Sequence, residues 1–374
     1  MTVTKRRVLV RVDASPKIGG GHLARCLALA HAFELVGYTP HFACRAGSLD
    51  TLPELLAVGS TTLELKSTDE IDQIVQRWAG TFQFVVVDHY GLDASFERRL
   101  SEIAERVVAI DDAPNRSHTC DTLLDQTHGR KSYEYESLVP SGCQLLVGSR
   151  FALLRAEFSN KRAAALERRR REPRCERILV ALGASDTADS TVSALEAITE
   201  AEVAPSVIVD IALGAGVSRL DLVRTAAERL PCSYALHVGT QDMAELMVHA
   251  DVAIGAAGSS AWERCCLGLP TIMMVIADNQ ATIADRLDRA GAAISTGLFA
   301  RGGRERVVRA ITSLMNDSQR RLEITDAAAG ICDGDGAKRT VEALLGNIAV
   351  NRVANGRKDR LLTTQVSHDE FRRS

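Results

Sequence analysis

The chain has 374 residues, 46% of them hydrophobic and 25% charged, with a formal net charge of −3. That length exceeds what one hydrophobic core supports, so two domains are expected, and the balance excludes a disordered or collagen-like chain. The near-neutral charge excludes a general attraction to nucleic acid or to an acidic membrane surface.

The first element is a strand around Val8, Val10 and Val12, and Leu23, Leu27, Leu29 and Ala30 then recur at helical spacing. Between them Gly19, Gly20 and Gly21 lead into His22. This junction is a helix N-terminus, where unpaired N–H groups and a positive dipole suit an anion or a developing negative charge. The run does not have the G-x-G-x-x-G spacing of a dinucleotide site. Asp13 either orients His22 or caps the turn. Basic residues open the chain, but MTVTKRRVLV runs straight into the strand without a signal-peptide apolar region.

Further strands are predicted at 39–45, 82–90, 107–112, 123–126 and 145–148. Helical periods separate most of them. After a gap, strands follow at 177–183, 206–214, 234–239, 252–256, 271–276 and 292–296. Near-continuous apolar strands such as FVVVD and TIMMVI mean burial on both faces, hence parallel sheets covered by helices. The expected fold is α/β, with two Rossmann-like domains whose parallel sheets face a cleft. The predicted boundaries are an N-terminal Rossmann-like domain over 1–158, a linker helix over 159–176, a C-terminal Rossmann-like domain over 177–346, and a polar tail over 347–374. The arginine-rich linker, closed by Pro173, reads as a solvated inter-domain helix able to act as a hinge. No aromatic residues interleave it, which argues against nucleic acid.

The most informative part of the second half is ADVAIGAAGSSAWERCCLGLPTIMMVIADNQ, residues 250–280. A strand ends in Gly255-Ala256-Ala257-Gly258, and Ser259 or Ser260 is the natural N-cap of a helix. Small residues let a bulky ligand approach the backbone, and free N–H groups face an anion such as a diphosphate. Glu263 either accepts hydrogen bonds from ribose hydroxyls or closes a capping box. Asp278, Asn279 and Gln280 lie past the next strand, at the carboxyl end where open α/β sheets bind ligands.

The nine cysteines show no Cys-x-x-Cys pair and read as buried free thiols, which suits a reducing cytosol. No His, Cys or Asp cluster has metal-ligand spacing; neither a metal nor a cofactor is expected. No segment has about 18 uninterrupted apolar residues, so no membrane span is expected. A monomer is expected.

Taken together, DASPKIGGGHLARCLALA, VVVDHYGLD, IDDAPNRSHTCDTLLDQ, FALLRAEF and GAAGSSAWERCCLGLPTIMMVIADNQ resemble, in that order, the UDP-sugar hydrolase family of the pseudaminic acid pathway. The resemblance runs from about Arg6 to Leu345. It implies a GT-B-like fold and hydrolysis of UDP-2,4-diacetamido-2,4,6-trideoxy-β-L-altropyranose to UDP and the free sugar. That sugar goes on to pseudaminic acid and flagellin glycosylation. It further implies His22 as the catalytic group, Tyr90 near the sugar, Ser259, Ser260 and Glu263 at the nucleotide, and Asn279 and Gln280 against sugar and diphosphate. Where the family shows Gly-Gly-Ser/Thr-Asp, this chain reads Gly183-Ala184-Ser185-Asp186, and the added methyl narrows that turn.

Histidine suits removal of a proton from water because its ordinary pKa of about 6.5 lies near neutral pH, and the helix dipole favours the neutral ring. The glycines, Gly20 and Gly21 among them, let the sugar sit beside it. The expected mechanism is single displacement with inversion. His89 is the rival base or a hydrogen-bonding group of the cleft. Tyr90 alternatively caps the core at its strand end. Asp88, Asp111 and Asp112 also close strands, and His118 and His128 default to structural or surface roles. A GT-B glycosyltransferase sharing the donor site and a non-catalytic sugar-nucleotide sensor are the alternative functions. No apolar, basic membrane-docking face is evident in the N-terminal half, which favours water as acceptor.

Overall fold

A computed structural model describes residues 6–14, 20–48, 61–66, 69–78, 80–171, 174–183, 188–298 and 303–346. Gly19, Pro173, Ala184 to Asp186 and the tail 347–374, all singled out above, lie outside the described residues.

Two wholly parallel sheets form. The first contains β1 (Arg7–Val12), β2 (Thr39–Arg45), β3 (Thr61–Leu65), β4 (Phe84–Asp88), β5 (Val107–Ile110), β6 (Thr122–Asp125) and β7 (Gln144–Val147), in the order β3-β2-β1-β4-β5-β6-β7. The second contains β8 (Arg177–Ala181), β9 (Ile208–Leu213), β10 (Ser233–Val238), β11 (Val252–Ala256), β12 (Thr271–Val275) and β13 (Ile294–Leu298), in the order β10-β9-β8-β11-β12-β13. The predicted strands are all present, some a few residues shorter. The strand absent from the prediction is β3, whose TTLEL is too polar to read as a buried run; it lies at the sheet edge, where one side needs no partner.

Each sheet is covered on both faces. Val8, Val10, Phe84 and Val86 pack on Leu23, Leu29 and Phe33 of the Gly21–Leu35 helix, while Leu9, Val85 and Val87 pack on the other side with Ile71, Ile74 and Leu100. In the second sheet Leu179, Ala253 and Met273 face Trp262, Cys266 and Ala328, and Val180, Ile254 and Ile272 face Leu195, Val307 and Ile311.

Two expectations about the domain seams need correction. The final helix, residues 336–346, does not stay with the second sheet: Ala337, Val341 and Leu344 are part of the core built on β1 and β4. The arginine-rich helix is Ala156–Arg171, and it is not a solvated face. Phe158 and Ala165 are buried among Met247, Trp262 and Ala328. Arg162 donates to the carbonyls of Cys266, Ala329 and Cys332, and buried Arg169 donates to those of Met247 and Ala250. Helix C-termini leave carbonyls unpaired and carry partial negative charge, so guanidinium groups are drawn to them. Arg170 and Arg171 keep the expected exposed surface pairing, with Asp326 and Glu167.

Strand order places the functional turns. In each sheet the order reverses direction between two neighbours, β1 and β4 in the first, β8 and β11 in the second. Helices leave to opposite faces there, and the parted loops open a crevice beyond the carboxyl ends.

Candidate functional site

The register β1–β4 aligns Val12 with Asp88, so Asp13 and His89 emerge side by side at the first switch point. The Gly21–Leu35 helix starts there with Gly20 at its N-cap position, and it carries His22 and Arg25 on one side, three residues apart. Asp88, wholly buried at the end of β4, binds both. His22 Nδ1 lies 2.6 Å from Asp88 Oδ1, and Arg25 donates to Asp88 through Nε at 2.7 Å and Nη2 at 2.6 Å. Burial pushes the Asp88 carboxyl up, but Arg25 and His22 outweigh that and hold it far below the ordinary carboxylate range.

Arg25 Nη2 also lies 3.1 Å from Nδ1 but donates to Asp88 at 2.6 Å; the closer partner of Nδ1, a charged carboxylate, can only accept, so the ring proton of neutral His22 belongs on Nδ1. His22 Nε2 has no partner among the described residues and carries a free lone pair. The side chain is 12% exposed, enough for a single face to meet a ligand. A carboxylate fixing the tautomer of an imidazole whose other nitrogen is unpartnered is the general-base arrangement.

Tyr90 stands edge-on to His22, ring centroids 5.0 Å apart, and its hydroxyl donates to Asp112 at 2.6 Å. Asp112 also receives Arg25 Nη1 at 3.2 Å, so Arg25 ties the histidine and the tyrosine into one frame. The Tyr90 ring is 43% exposed and does not cap a core. Its loop is clamped from below. Arg116 Nη1 donates to the carbonyls of His89, Tyr90 and Leu92 at 3.2, 2.7 and 2.9 Å, while its Nε pairs with Asp111 at 2.8 Å. His118 then bridges Asp111 and Glu97 at 2.8 and 2.7 Å. Burial alone lowers the His118 pKa; the hydrogen bonds to the two carboxylates outweigh it and raise it to about 9. His118 is a buried structural cation, and Asp111 and Asp112 are each consumed by side-chain partners.

His89 stands apart from His22. Its Nδ1 accepts the Gly91 N–H at 2.9 Å and its Nε2 faces Asp13 Oδ2 at 3.3 Å, so both nitrogens of the neutral ring are used. Asp13 does not orient His22. It receives Arg11 through both oxygens and the Arg45 N–H. His128 contacts Ser149 Oγ at 3.2 Å, and its carbonyl accepts Arg286 from beyond β12.

The second turn faces the first. A Cβ added at Gly21 would lie 2.5 Å from Ser259 Oγ, so the N-terminal glycine turn and the β11 turn are in contact. Ser259 is the N-cap of the Ser260–Cys266 helix but makes no side-chain cap bond, which leaves its hydroxyl available. Glu263 does not reach back to close a capping box; its carboxyl makes no hydrogen bond among the described residues, and loss of water around it pushes it up to about 7. Past β12, Asn279 is exposed, while the Gln280 side-chain oxygen accepts from the Ile276 N–H at 3.2 Å, leaving its amide nitrogen free. Sequence reasoning missed Arg25, Arg116 and Arg264. The helical spacing of His22 and Arg25 was the one available signal; the others act through folds of the chain.

No known protein-family model matches the chain. Over 156 residues it is 34% identical to the UDP-2,4-diacetamido-2,4,6-trideoxy-β-L-altropyranose hydrolase of Campylobacter jejuni, a match covering 41% of this chain and 53% of that one. Over 170 residues it is 29% identical to the spore coat polysaccharide biosynthesis protein SpsG of Bacillus subtilis, covering 46% and 50%. The matches thus span about half the length of these curated relatives. Among solved structures, Acinetobacter baumannii MurG superposes with a TM-score of 0.64 at 13% identity, covering 91% of this chain and 99% of that one. The UDP-GlcNAc 2-epimerase of Neisseria meningitidis bound to UDP-GlcNAc gives 0.61 at 14%, covering 91% and 100%. The fold is therefore GT-B-like, two parallel-sheet α/β domains. Among the described residues no helix is long and apolar enough to cross a membrane.

Proposed function

We propose that this chain hydrolyses UDP-2,4-diacetamido-2,4,6-trideoxy-β-L-altropyranose to UDP and the free sugar, in pseudaminic acid biosynthesis ahead of flagellin glycosylation. The observation that carries this reading is the His22–Asp88 pair, with Nε2 unpartnered, next in sequence to Gly21, which meets Ser259. Water gives a proton to Nε2 as its oxygen bonds to the anomeric carbon; the bond from that carbon to the diphosphate oxygen breaks, and its electron pair leaves with UDP. Asp88 stabilises the imidazolium that forms. No covalent sugar–enzyme intermediate is involved, and the anomeric configuration inverts.

Ser259 and Ser260 donate to the diphosphate, and Glu263, which makes no capping bond, accepts from the ribose hydroxyls. Asn279 and Gln280 reach sugar and diphosphate, Tyr90 packs against the sugar, and Gly20 and Gly21 leave it room. In this reading the chain acts as a monomer. Nine free thiols suit a reducing cytoplasm.

The test is incubation with a panel of UDP-diacetamido-trideoxyhexoses without any acceptor, with UDP release and the first-formed anomer followed by NMR. Release with inversion is expected. Release only when an acceptor is added would make the chain a glycosyltransferase, and binding without release a sugar-nucleotide sensor. Retention in the first turnover would refute single displacement.

A further inference from the structure

Arg264 has no role in the reading above, yet it occupies the floor of the nucleotide turn. It is 1% exposed, and its guanidinium packs against Gly255: a Cβ there would come within 2.6 Å of Nη1 and 2.8 Å of Cζ. Nη2 donates to the Ala256 carbonyl at 2.6 Å and Nη1 to Ser260 Oγ at 3.0 Å, while Nε has no partner. Among the described residues no carboxylate lies within ion-pair distance of it. Burial lowers its pKa to about 10, which still leaves it charged at neutral pH. Its sequence neighbour Glu263 sits near 7 and supplies only part of a negative charge.

A buried cation without a counter-ion is expensive, and an apolar side chain of similar volume would ordinarily be the more stable choice. Its placement gives the charge a use. Ser260 Oγ accepts from Arg264, so the hydroxyl proton of Ser260 must point away from the guanidinium. Ser260 itself is only half-buried, so that proton is offered to whatever occupies the turn.

We infer that Arg264 is a specificity-determining positioning residue: acting through Ser260 and the Ala256 carbonyl, it presents a positive charge without an ion-pair partner that selects a nucleoside diphosphate over the bare nucleoside. The inference rests on the proposal that the 257–260 turn receives the diphosphate. Gly255 is glycine for the same reason, since only a hydrogen fits over the guanidinium.

The experiment compares UDP and uridine binding by calorimetry to the full chain, to Arg264→Met, to Arg264→Lys and to Ser260→Ala. In Arg264→Met, UDP affinity is expected to fall about tenfold or more while uridine affinity holds, the loss expected for a charge-assisted contact. Arg264→Lys should restore part of the UDP preference, because it returns the charge without the fork. Ser260→Ala, which leaves the guanidinium in place, should lose preference for UDP to a smaller extent and covers the case in which Arg264→Met fails to fold. Equal losses for UDP and uridine in Arg264→Met would make Arg264 merely structural. A UDP preference unchanged in both Arg264→Met and Ser260→Ala would overturn the inference alone. No UDP binding by the unaltered chain would overturn the nucleotide reading, and this inference with it.

Discussion

Replacing His118 by glutamine removes a positive charge from between Glu97 and Asp111, two carboxylates that are almost fully buried. The folded-state pKa is raised from the ordinary 6.5 to about 9. At about 1.4 kcal/mol per pH unit this amounts to on the order of 3 kcal/mol of stability. Because the pKa is raised on folding, that contribution is fully present below pH 6.5 and is lost as pH rises through about 9. Urea unfolding of the unaltered chain, read by hydrogen exchange on the β4–β6 peptides, should therefore weaken between about pH 6 and about pH 9.5. His118→Gln should be less stable at the acid end and lack that part of the slope. The variant should also raise KM, since Asp111 holds Arg116, and Arg116 holds the Tyr90 loop by three carbonyls. A stability difference between the two proteins that does not change with pH would refute the reasoning, for it would mean that folding leaves the His118 pKa unshifted.

Other outcomes follow from the same contacts. Asp88→Asn presents an amide to His22 Nδ1, which moves the ring proton to Nε2; kcat should fall by about 10³–10⁴ while UDP affinity holds, and a kcat within tenfold of the unaltered chain would remove Asp88 from the mechanism. His22→Asn should show the same split between turnover and UDP binding. Gly21→Ala displaces the Ser259 hydroxyl, which can rotate away, so the fold survives and kcat/KM should drop ~10- to 100-fold; unchanged kinetics would mean that the two turns do not act together. Glu263 ionises near pH 7, so its ability to accept from ribose hydroxyls grows as pH rises through that value. UDP affinity should rise over this range more steeply in the unaltered chain than in Glu263→Gln, and matching slopes would detach Glu263 from the ribose.

Much of the architecture was legible along the chain because parallel strands buried on both faces write continuous apolar runs such as FVVVD and TIMMV. The turns were legible too, since small residues between a strand and a helical period have few other uses. TTLEL was not, because an edge strand needs no second apolar face. Nor could the arginine run be assigned from composition: a guanidinium in water and one capping a helix C-terminus carry the same letter. Arg162 and Arg169 became buried only because the ends of other helices arrive beside them.

For the site the division is sharper. The order of residues alone determined that a histidine follows a glycine turn at a helix start, and that a serine pair and a glutamate follow a second such turn. Which group orients that histidine was decided by tertiary structure. Asp13 is near in sequence but is claimed by Arg11, whereas Asp88, sixty-six residues on, is carried to His22 by the pairing of β4 with β1. Likewise Ser259 meets Gly21 only when the two sheets face one another. Local pattern follows from backbone periodicity and turn chemistry, which act over a few residues; the charges that tune a base and the surfaces that close a cleft come from strand order and domain packing, which no short window contains.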